Sequence, residues 1–477
     1  MVFQSIEYLL FLVILMSGYF WLPLRGQNFL LLAASYVFYG WIHPWYLVPI
    51  GITTLFDWGC ALGMDASATT VQRKGYLIVS LGVNFSILCA FKYFGFFAEN
   101  VTTLLTAIHL MPAPWVLQIA LPAGISFFTF QSASYVIDVY RKHSPACRSL
   151  LEYATFVSFF PQLVAGPIER AGHMLPQFRA LRRPSLASLR SGFVLILWGL
   201  FQKIVIADNS ALLAGKVFSI ASPSFPVLWG GVLAFGVQIY ADFSGYTAMA
   251  RGSARLIGIE LCQNFNHPYL AQSPGEFWRR WHMSLSTWFR DYVFIPLGGS
   301  RTTSGRVARN LVITFLLSGL WHGASWNFIL WGTFHGGLVA AWPHLAKGVP
   351  LLAASGGRAG TVFRLLLTII LMHVGWLMFR EHSVDMILRD LTLNPMTATL
   401  VEWRIGAAIA LEALLYGLPL LVLFPLVEHL GALPVAEDPK METWRWTGIQ
   451  AATAALLVIG LVSLRCPVGS DFIYFQF

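Results

Sequence analysis

The chain consists of long apolar runs separated by short polar stretches. Four of the clearest runs are "YLLFLVILMSGYFWLPL" from Tyr8, "GYLIVSLGVNFSILCAF" from Gly75, "NLVITFLLSGLWHGASWNFILWG" from Asn310 and "TGIQAATAALLVIGLVSL" from Thr447. A helix of about 20 apolar residues crosses the hydrocarbon core of a bilayer. The pattern therefore predicts an all-α, polytopic membrane protein with about ten to twelve transmembrane or re-entrant helices.

Composition strengthens this prediction and excludes a soluble enzyme. Of the 477 residues, 57% are hydrophobic and only 11% are charged, and the mean hydropathy is +0.65. Soluble domains carry about 25% charged residues, so this chain lacks the polar side chains to cover itself in water. No Lys or Arg precedes the first apolar run, which we expect to be a membrane anchor and not a removable signal peptide.

The formal net charge of +9 gathers in short loops. Three Arg-rich stretches, residues 141–148, 179–190 and 301–309, are typical of cytoplasmic loops, which collect Lys and Arg. We expect the second and third to face the cytoplasm, where they could attract a phosphate-bearing donor. Nucleic-acid binding is excluded because no basic tail or recognition fold accompanies the charge. The five cysteines are scattered without a His/Cys cluster, which predicts neither a disulfide framework nor a metal site.

No linker separates a soluble domain, and we predict one membrane domain over residues 1–477. Its N-terminal spans occupy residues 1–190. A candidate catalytic core follows at 191–345, where polar, aromatic and basic residues occur within sequence that is otherwise apolar enough to cross a membrane. Residues 346–464 are again predicted to form membrane spans, without such interruptions. We expect residues 465–477 to form an extracytoplasmic tail.

The first candidate for chemistry is the segment "SPGEFWRRWHMSLSTWFRDY". Ser273 and Glu276 form a capping box, so we predict one helix from there to about Phe294. Trp278, Trp281, Leu285 and Trp288 would share one face of this helix, and His282 and Ser286 another. Arg279, Arg280 and Arg290 add positive charge. An amphipathic helix at the membrane interface would explain the tryptophans and arginines equally well.

A second candidate is His322, about a dozen residues into an apolar run and therefore expected within the bilayer. Ionisable residues in that position are functional by default. Two GxxxG pairs surround it, which predicts close approach of neighbouring helices. They are formed by Gly319, Gly323, Gly332 and Gly336. His335 is expected to face roughly the opposite side of a straight helix and is a weaker candidate.

A buried neutral histidine keeps one ring nitrogen able to accept a proton from a hydroxyl nucleophile. The residues alone therefore indicate intramembrane, histidine-dependent group transfer. A histidine proton relay in a transporter would produce much the same pattern, and that alternative stays open at this point.

The two segments together resemble the membrane-bound O-acyltransferase family, in particular its bacterial polysaccharide-acetylation branch. Further matching motifs are "LPAGISFFTFQSASYVIDVYR" from Leu121, "FFPQLVAGPIER" from Phe159 and "YADFSGYTAMARG" from Tyr240. The likeness covers residues 1 to about 345 well. Two positions depart from the family pattern: Ala248 replaces an acidic residue, and Ser300 replaces an asparagine.

The resemblance implies a ring of helices around a central reaction chamber in the bacterial cytoplasmic membrane. In that chamber acetyl-CoA or another acyl thioester would donate an acetyl group for an exported polysaccharide such as alginate. No bound cofactor is implied. His322 would be the general base, with His282 orienting the acyl group or stabilising the thioester carbonyl, and Arg279, Arg280 and Arg290 would contact the donor.

The implied partners are periplasmic hydrolase-like acetyltransferases or acetyl-relay proteins, the polysaccharide synthesis and secretion complex, and membrane lipids. D-alanyl transfer to teichoic acid, with a carrier protein as donor, is the alternative enzyme function.

The last residues, "FIYFQF" at 472–477, contain a single hydroxyl, that of Tyr474. Lys440 and Arg445 indicate a cytoplasmic loop before the last span, so this span delivers the tail to the outer side. An aromatic belt at the interface is one interpretation. The pattern Phe-x-Tyr-x-x-Phe is also similar to the tail of a small partner protein in teichoic-acid D-alanylation. By that likeness Tyr474 is a candidate acyl acceptor, with His322 as its base.

Overall fold

The structure is a computed structural model and describes residues 1–109, 121–353, 357–421 and 444–473. All regular structure in these ranges is helical, which confirms the all-α prediction. The described residues form two compact units. One contains Met1–Pro184 and Ile257–Leu261, and the other contains Ser185–Leu256 and Cys262–Phe477.

The first unit holds nine α-helices among its described residues. They are α1 Ile6–Tyr19, α2 Leu24–Gly40, α3 Leu47–Ala66, α4 Thr70–Leu88, α5 Phe94–Ala107, α6 Ile125–Tyr140, α7 Leu150–Ser158, α8 Phe160–Leu163 and α9 Ala171–Phe178. A π-helical turn, Cys89–Tyr93, joins α4 to α5. Polar side chains pair where α3 packs on α4: Asn84 Nδ2 donates to Asp57 Oδ1 at 2.8 Å. Such pairing satisfies a buried carboxylate that would otherwise be costly in apolar surroundings.

The second unit carries the candidate catalytic segments. Its described helices are α10 Leu186–Phe201, α11 Asp208–Phe218, α12 Phe225–Ile257, α13 Pro274–Arg280, α14 Met283–Phe289, α15 Ser304–His322, α16 Trp326–Gly348, α17 Gly357–Arg380, α18 Val384–Leu391, α19 Leu400–Leu421 and α20 Trp444–Ser463. π-Helical turns at Gln202–Ala207 and Arg290–Phe294 interrupt the regular helices.

Helices that are long and apolar enough to cross a membrane recur along the chain. Six described helical segments are long and apolar enough to span a bilayer, and Ile6–Tyr19 and Gly448–Ser463 are shorter apolar helices. The six are Pro44–Ala66, Thr70–Ala107, Leu186–Phe218, Phe225–Ile257, Gly357–Arg380 and Leu400–Leu421. These helices confirm a polytopic membrane protein, and the total of about ten to twelve spans stays a prediction.

The GxxxG pairs bring α15 and α16 together as predicted. A Cβ on Gly332 would lie 3.0 Å from the Cα of Leu316, and one on Gly336 would lie 2.8 Å from the Cα of Val312. A Cβ on Gly319 would lie 3.3 Å from the Cα of Gly332 itself. Only glycine permits this backbone approach, which fixes the end of α15 against the start of α16.

Candidate active site

The predicted helix from Ser273 begins correctly but does not continue. Ser273 Oγ caps it by accepting from the Glu276 N–H at 3.1 Å, and α13 then ends at Arg280. Trp281 is extended and His282 adopts a left-handed backbone with φ 43°. A single helix over 273–294 is therefore wrong, since two short helices and a π-helical turn occupy that range.

Hydrogen bonds to a neighbouring segment stabilise the break between α13 and α14. The Met283 N–H donates to the Asn264 carbonyl at 2.9 Å, and the Asn266 N–H donates to the Arg280 carbonyl at 2.9 Å. These bonds replace helical hydrogen bonds on both sides of His282. A left-handed non-glycine residue costs about 1–2 kcal/mol, so the surrounding structure has to impose this conformation.

The break rearranges the side chains relative to the prediction. His282, Ser286, Trp278, Trp281 and Leu285 all line one cavity instead of occupying separate helix faces. A straight helix would have separated them, so the face assignment is wrong for the same reason as the helix length. Trp288 is buried against Phe289 and Tyr292.

This cavity has a volume of about 470 Å³, and both candidate histidines line it. His322 is the last residue of α15 and is 6% exposed. Its ring lies edge-on to Trp321 at 4.9 Å, to Trp331 at 5.1 Å and to Phe379 at 5.2 Å between centroids. Trp321 also contacts the ring of His282, at 5.9 Å. The two histidines thus belong to one aromatic-walled chamber.

The arginines predicted to contact a donor divide into two sets. Arg279 and Arg290 are exposed and line the cavity, which gives it positive charge toward solvent. Arg280 pairs with Glu276 at 2.8 Å and donates to the Asn266 carbonyl at 3.3 Å, outside the cavity lining. Arg290 is also paired, through Nε to Asp291 Oδ1 at 2.8 Å, so it is their position in the cavity lining that suits Arg279 and Arg290 to an anionic ligand better than Arg280.

His335 lies apart from this chamber, but the straight helix predicted to connect it with His322 is wrong, because α15 ends at His322 and α16 begins at Trp326. It is buried and contacts Trp278 at 4.9 Å and Trp331 at 4.8 Å, but it does not line the cavity. Gly375 packs directly against its ring. The residue therefore serves the packing of α16 on α17.

Asn264 contacts His282 and was not anticipated from the sequence. Its side-chain oxygen accepts from the Ser284 N–H at 3.2 Å and from Ser284 Oγ at 2.8 Å. A backbone N–H is always a donor, so this atom must be the amide oxygen. The same oxygen lies 3.1 Å from His282 Nδ1, which must therefore carry the proton.

The contact to Asn264 sets the chemistry of His282. With the proton on Nδ1, the lone pair of the neutral ring is on Nε2. His282 lies outside the six spans and is 1% exposed, and this burial lowers its pKa to about 3. The imidazole is therefore neutral at physiological pH. No short motif marks Asn264, which is one of three side-chain amides in "CQNFNHPY".

We expect Asn264→Asp to change the pH dependence of acyl transfer. A carboxylate facing Nδ1–H favours the imidazolium and raises the pKa of His282, by about 1–3 units for a close charge. Protonation of His282 would then begin nearer neutrality, so the acid limb of the rate profile should move to higher pH. Rates of acyl transfer by the purified variant, measured between pH 5 and 8, check this.

Asn266→Asp is the matched control for that prediction. It makes the same chemical change two residues away, at an exposed side chain whose backbone alone bonds to Arg280. We expect its profile to match that of the unmodified protein. Identical profiles for the two variants would contradict the role given to Asn264.

The carboxyl-terminal segment packs against aromatic residues next to His282. Phe472 is 2% exposed and Ile473 is fully buried. The Phe472 ring lies 4.4 Å from that of Tyr246 and 6.2 Å from that of Phe243, and Phe243 lies edge-on to His282 at 4.7 Å. For Phe472 the lipid-facing aromatic belt is thus not supported. Tyr474, Phe475 and Phe477 lie outside the described residues, as do Lys440 and the side chain of Arg445.

Comparison with known proteins defines the class of this chain. Residues 31–345 match the membrane-bound O-acyltransferase (MBOAT) family. The chain belongs to this family, so it is a multi-pass membrane enzyme, an O-acyltransferase. The predicted family and enzyme class are confirmed, and the transporter alternative is set aside.

Its relatives include named enzymes of cell-envelope acylation. The "Probable alginate O-acetylase AlgI" of Azotobacter vinelandii is 40% identical over 410 residues, covering 86% of this chain and 78% of the relative. The peptidoglycan O-acetyltransferase of Helicobacter pylori is 32% identical over 98% of this chain and 95% of the relative. The teichoic acid D-alanyltransferase of Streptococcus thermophilus is 32% identical over 47% of this chain and 58% of the relative.

Proposed function

We propose that this enzyme carries an acetyl group across the bacterial inner membrane for O-acetylation of an exported polysaccharide such as alginate. The main support is the chamber that brings His282 and His322 together with Arg279 and Arg290. Two buried imidazoles that line one chamber suit proton transfer. The exposed guanidinium groups suit the phosphates of a cytoplasmic donor such as acetyl-CoA.

In this proposal His322 acts as the general base. It accepts the proton of a hydroxyl nucleophile, whose oxygen bonds to the acetyl carbon as the carbon–sulfur bond breaks. The leaving thiolate then takes the proton from the imidazolium, which restores neutral His322. His282 assists by orienting the acyl group or by polarising its carbonyl, a form of electrostatic stabilisation.

We further propose that the first acceptor is Tyr474 of the same chain. The burial of Phe472 and Ile473, and the ring contacts from Phe472 through Phe243 to His282, support a tail directed toward the chamber. A phenol has a pKa of about 10 and needs a base, which His322 would supply. The resulting aryl ester is a reactive donor for a periplasmic hydrolase-like acetyltransferase or relay protein of the polysaccharide synthesis and secretion complex.

D-alanyl transfer to teichoic acid is the second candidate. The coverage of the relatives argues against it, because the D-alanyltransferase matches less than half of this chain whereas the O-acetyltransferase of Helicobacter pylori matches nearly all of it. Acetyl transfer is therefore the function that we favour.

The identity of the donor tests this proposal. Purified enzyme in detergent should consume acetyl-CoA and release free thiol, whereas a carrier protein loaded with D-alanine should react far more slowly. Thiol release with each donor, measured with and without enzyme, gives the comparison. Faster reaction with the D-alanyl carrier would overturn the acetyl assignment in favour of the second candidate.

A further inference from the structure

Three ionisable side chains form a buried cluster beside the carboxyl-terminal segment. Lys203 Nζ lies 2.9 Å from Asp208 Oδ1 and 3.1 Å from Asp242 Oδ1. All three side chains are at most 5% exposed. One ammonium faces two carboxylates, so the cluster has an excess of acceptors. A buried charge is stabilised only when its remaining lone pairs meet further hydrogen-bond donors.

The carboxyl-terminal segment supplies those donors. The Ile473 N–H donates to Asp242 Oδ2 at 2.7 Å, and Ser470 Oγ donates to Asp208 Oδ1 at 2.6 Å. In return, Lys203 Nζ donates to the Ser470 carbonyl at 2.8 Å. Lys203 Nζ also donates to Ser470 Oγ at 3.2 Å. Two of these four bonds involve the tail backbone and two involve the Ser470 hydroxyl, so the cluster binds both the path of the chain and this side chain.

Further contacts, before the cluster bonds and between them, hold the same segment in place. The Cys466 N–H donates to the Ile204 carbonyl at 3.2 Å, and Asn209 Nδ2 donates to the Leu464 carbonyl at 3.2 Å. Phe472 is buried against Tyr246 and Phe243 between the bonds made by residues 470 and 473. A shift of one residue moves an extended chain by about 3.3 Å, which would break each of these contacts.

We propose that Lys203, Asp208 and Asp242 form a docking site for residues 464–473 that sets how far the tail extends toward the acyl-transfer chamber. The functional part of this inference rests on the proposed role of Tyr474. Lys203, Asp208 and Asp242 are positioning residues: they contact the segment that leads to the acceptor and not the acyl group. An ion pair serving only helix packing would not depend on backbone groups of the tail.

The position of a single inserted glycine tests the register. Inserted after Asp471, which is exposed, the glycine separates the bond at Ser470 from the bond at Ile473 and displaces everything beyond. We expect at least a tenfold loss of acyl transfer to the tail. Inserted after Pro467, next to exposed Val468, the glycine lies between the contact at Cys466 and the first cluster contact at Ser470, where it can bulge outward without separating Ser470 from Ile473. That matched variant should keep near-normal transfer, and equal activity of the two variants would overturn the proposal.

Hydrogen exchange tests docking independently of catalysis. In the unmodified protein the Ile473 amide should be protected from exchange, and Asp242→Asn should increase its exchange rate at least tenfold. Amides of α15, far along the chain, serve as the internal control for folding. Unchanged exchange of the carboxyl-terminal peptide would overturn the docking site.

The outcomes separate this inference from the function on which it rests. If Tyr474→Phe transfers acetyl normally while Asp242→Asn releases the tail, the docking site stands and the acyl-carrier function fails. If Tyr474→Phe is inactive but both glycine insertions are active, the carrier function stands and the docking inference fails.

Discussion

His322→Ala should transfer acetyl about 10²–10⁴-fold more slowly than the unmodified enzyme, the usual loss when a general base is removed. His322 ends α15 among three aromatic rings and lines the cavity, so its ring is held in place and largely excluded from water. A hydroxyl nucleophile bonded to no base would have to ionise unaided. Single-turnover transfer from labelled acetyl-CoA measures the loss directly.

Two further variants distinguish a lost base from a damaged site. His322→Gln keeps a polar side chain of similar length but provides no basic nitrogen, so it should be nearly as inactive as the alanine variant. His344→Ala removes an exposed histidine that bonds to Ser304 Oγ and should retain normal activity. Transfer at the unmodified rate by His322→Ala would exclude it as the base, and recovery of activity in His322→Gln would indicate a positioning role.

Signals that depend on neighbouring residues in the chain predict much of this fold. The cap at Ser273 and the proline after it mark the start of α13 because a side-chain oxygen satisfies an otherwise free N–H. The spacing of Gly319, Gly332 and Gly336 predicts the contact of α15 with α16, since small residues at helical spacing form a continuous flat face. Both signals are local, so a single sequence contains them in full.

Local sequence signals do not predict the break at His282. The local pattern favours a continuous helix, and the bonds that interrupt it come from Asn264 and Asn266, well outside one helical turn. The break brings Trp281, His282 and Ser286 to the cavity that His322 also lines. Long-range hydrogen bonds therefore decide the geometry of the candidate site, while the local pattern identifies only which residues carry its chemistry.

Two of the three residues of the docking site carry a signal in the sequence. Lys203 and Asp242 lie in helical segments apolar enough to span a membrane, where ionisable side chains mark functional positions. The sequence offers no sign that they pair with each other, or that the Ile473 N–H would donate to Asp242. Partners 231 residues apart become visible only in the folded chain.

Tyr474→Phe should abolish acetyl transfer to the polysaccharide while leaving the protein folded. The substitution keeps the aromatic ring, so contacts that anchor the tail persist, and it removes the single hydroxyl of residues 472–477. Without this oxygen no ester can form within residues 472–477, whatever the state of His322. Tyr474 itself lies outside the described residues, and the prediction rests on the burial of Phe472 and Ile473 just before it. Mass spectrometry of the carboxyl-terminal peptide after exposure to acetyl-CoA should detect an acetyl group on the unmodified enzyme and none on the variant.

Tyr76→Phe provides the control, because it makes the same change at an exposed tyrosine of α4 in the first unit. It should acetylate both its tail and the polysaccharide normally. In His322→Ala, loss of the base should prevent acetylation of an intact Tyr474. In Tyr474→Phe, loss of the hydroxyl should leave donor binding unaffected. A Tyr474→Phe enzyme that acetylates polysaccharide at the normal rate would make the tail an anchor, and the acyl acceptor would then have to be a hydroxyl of the polysaccharide or of a partner protein.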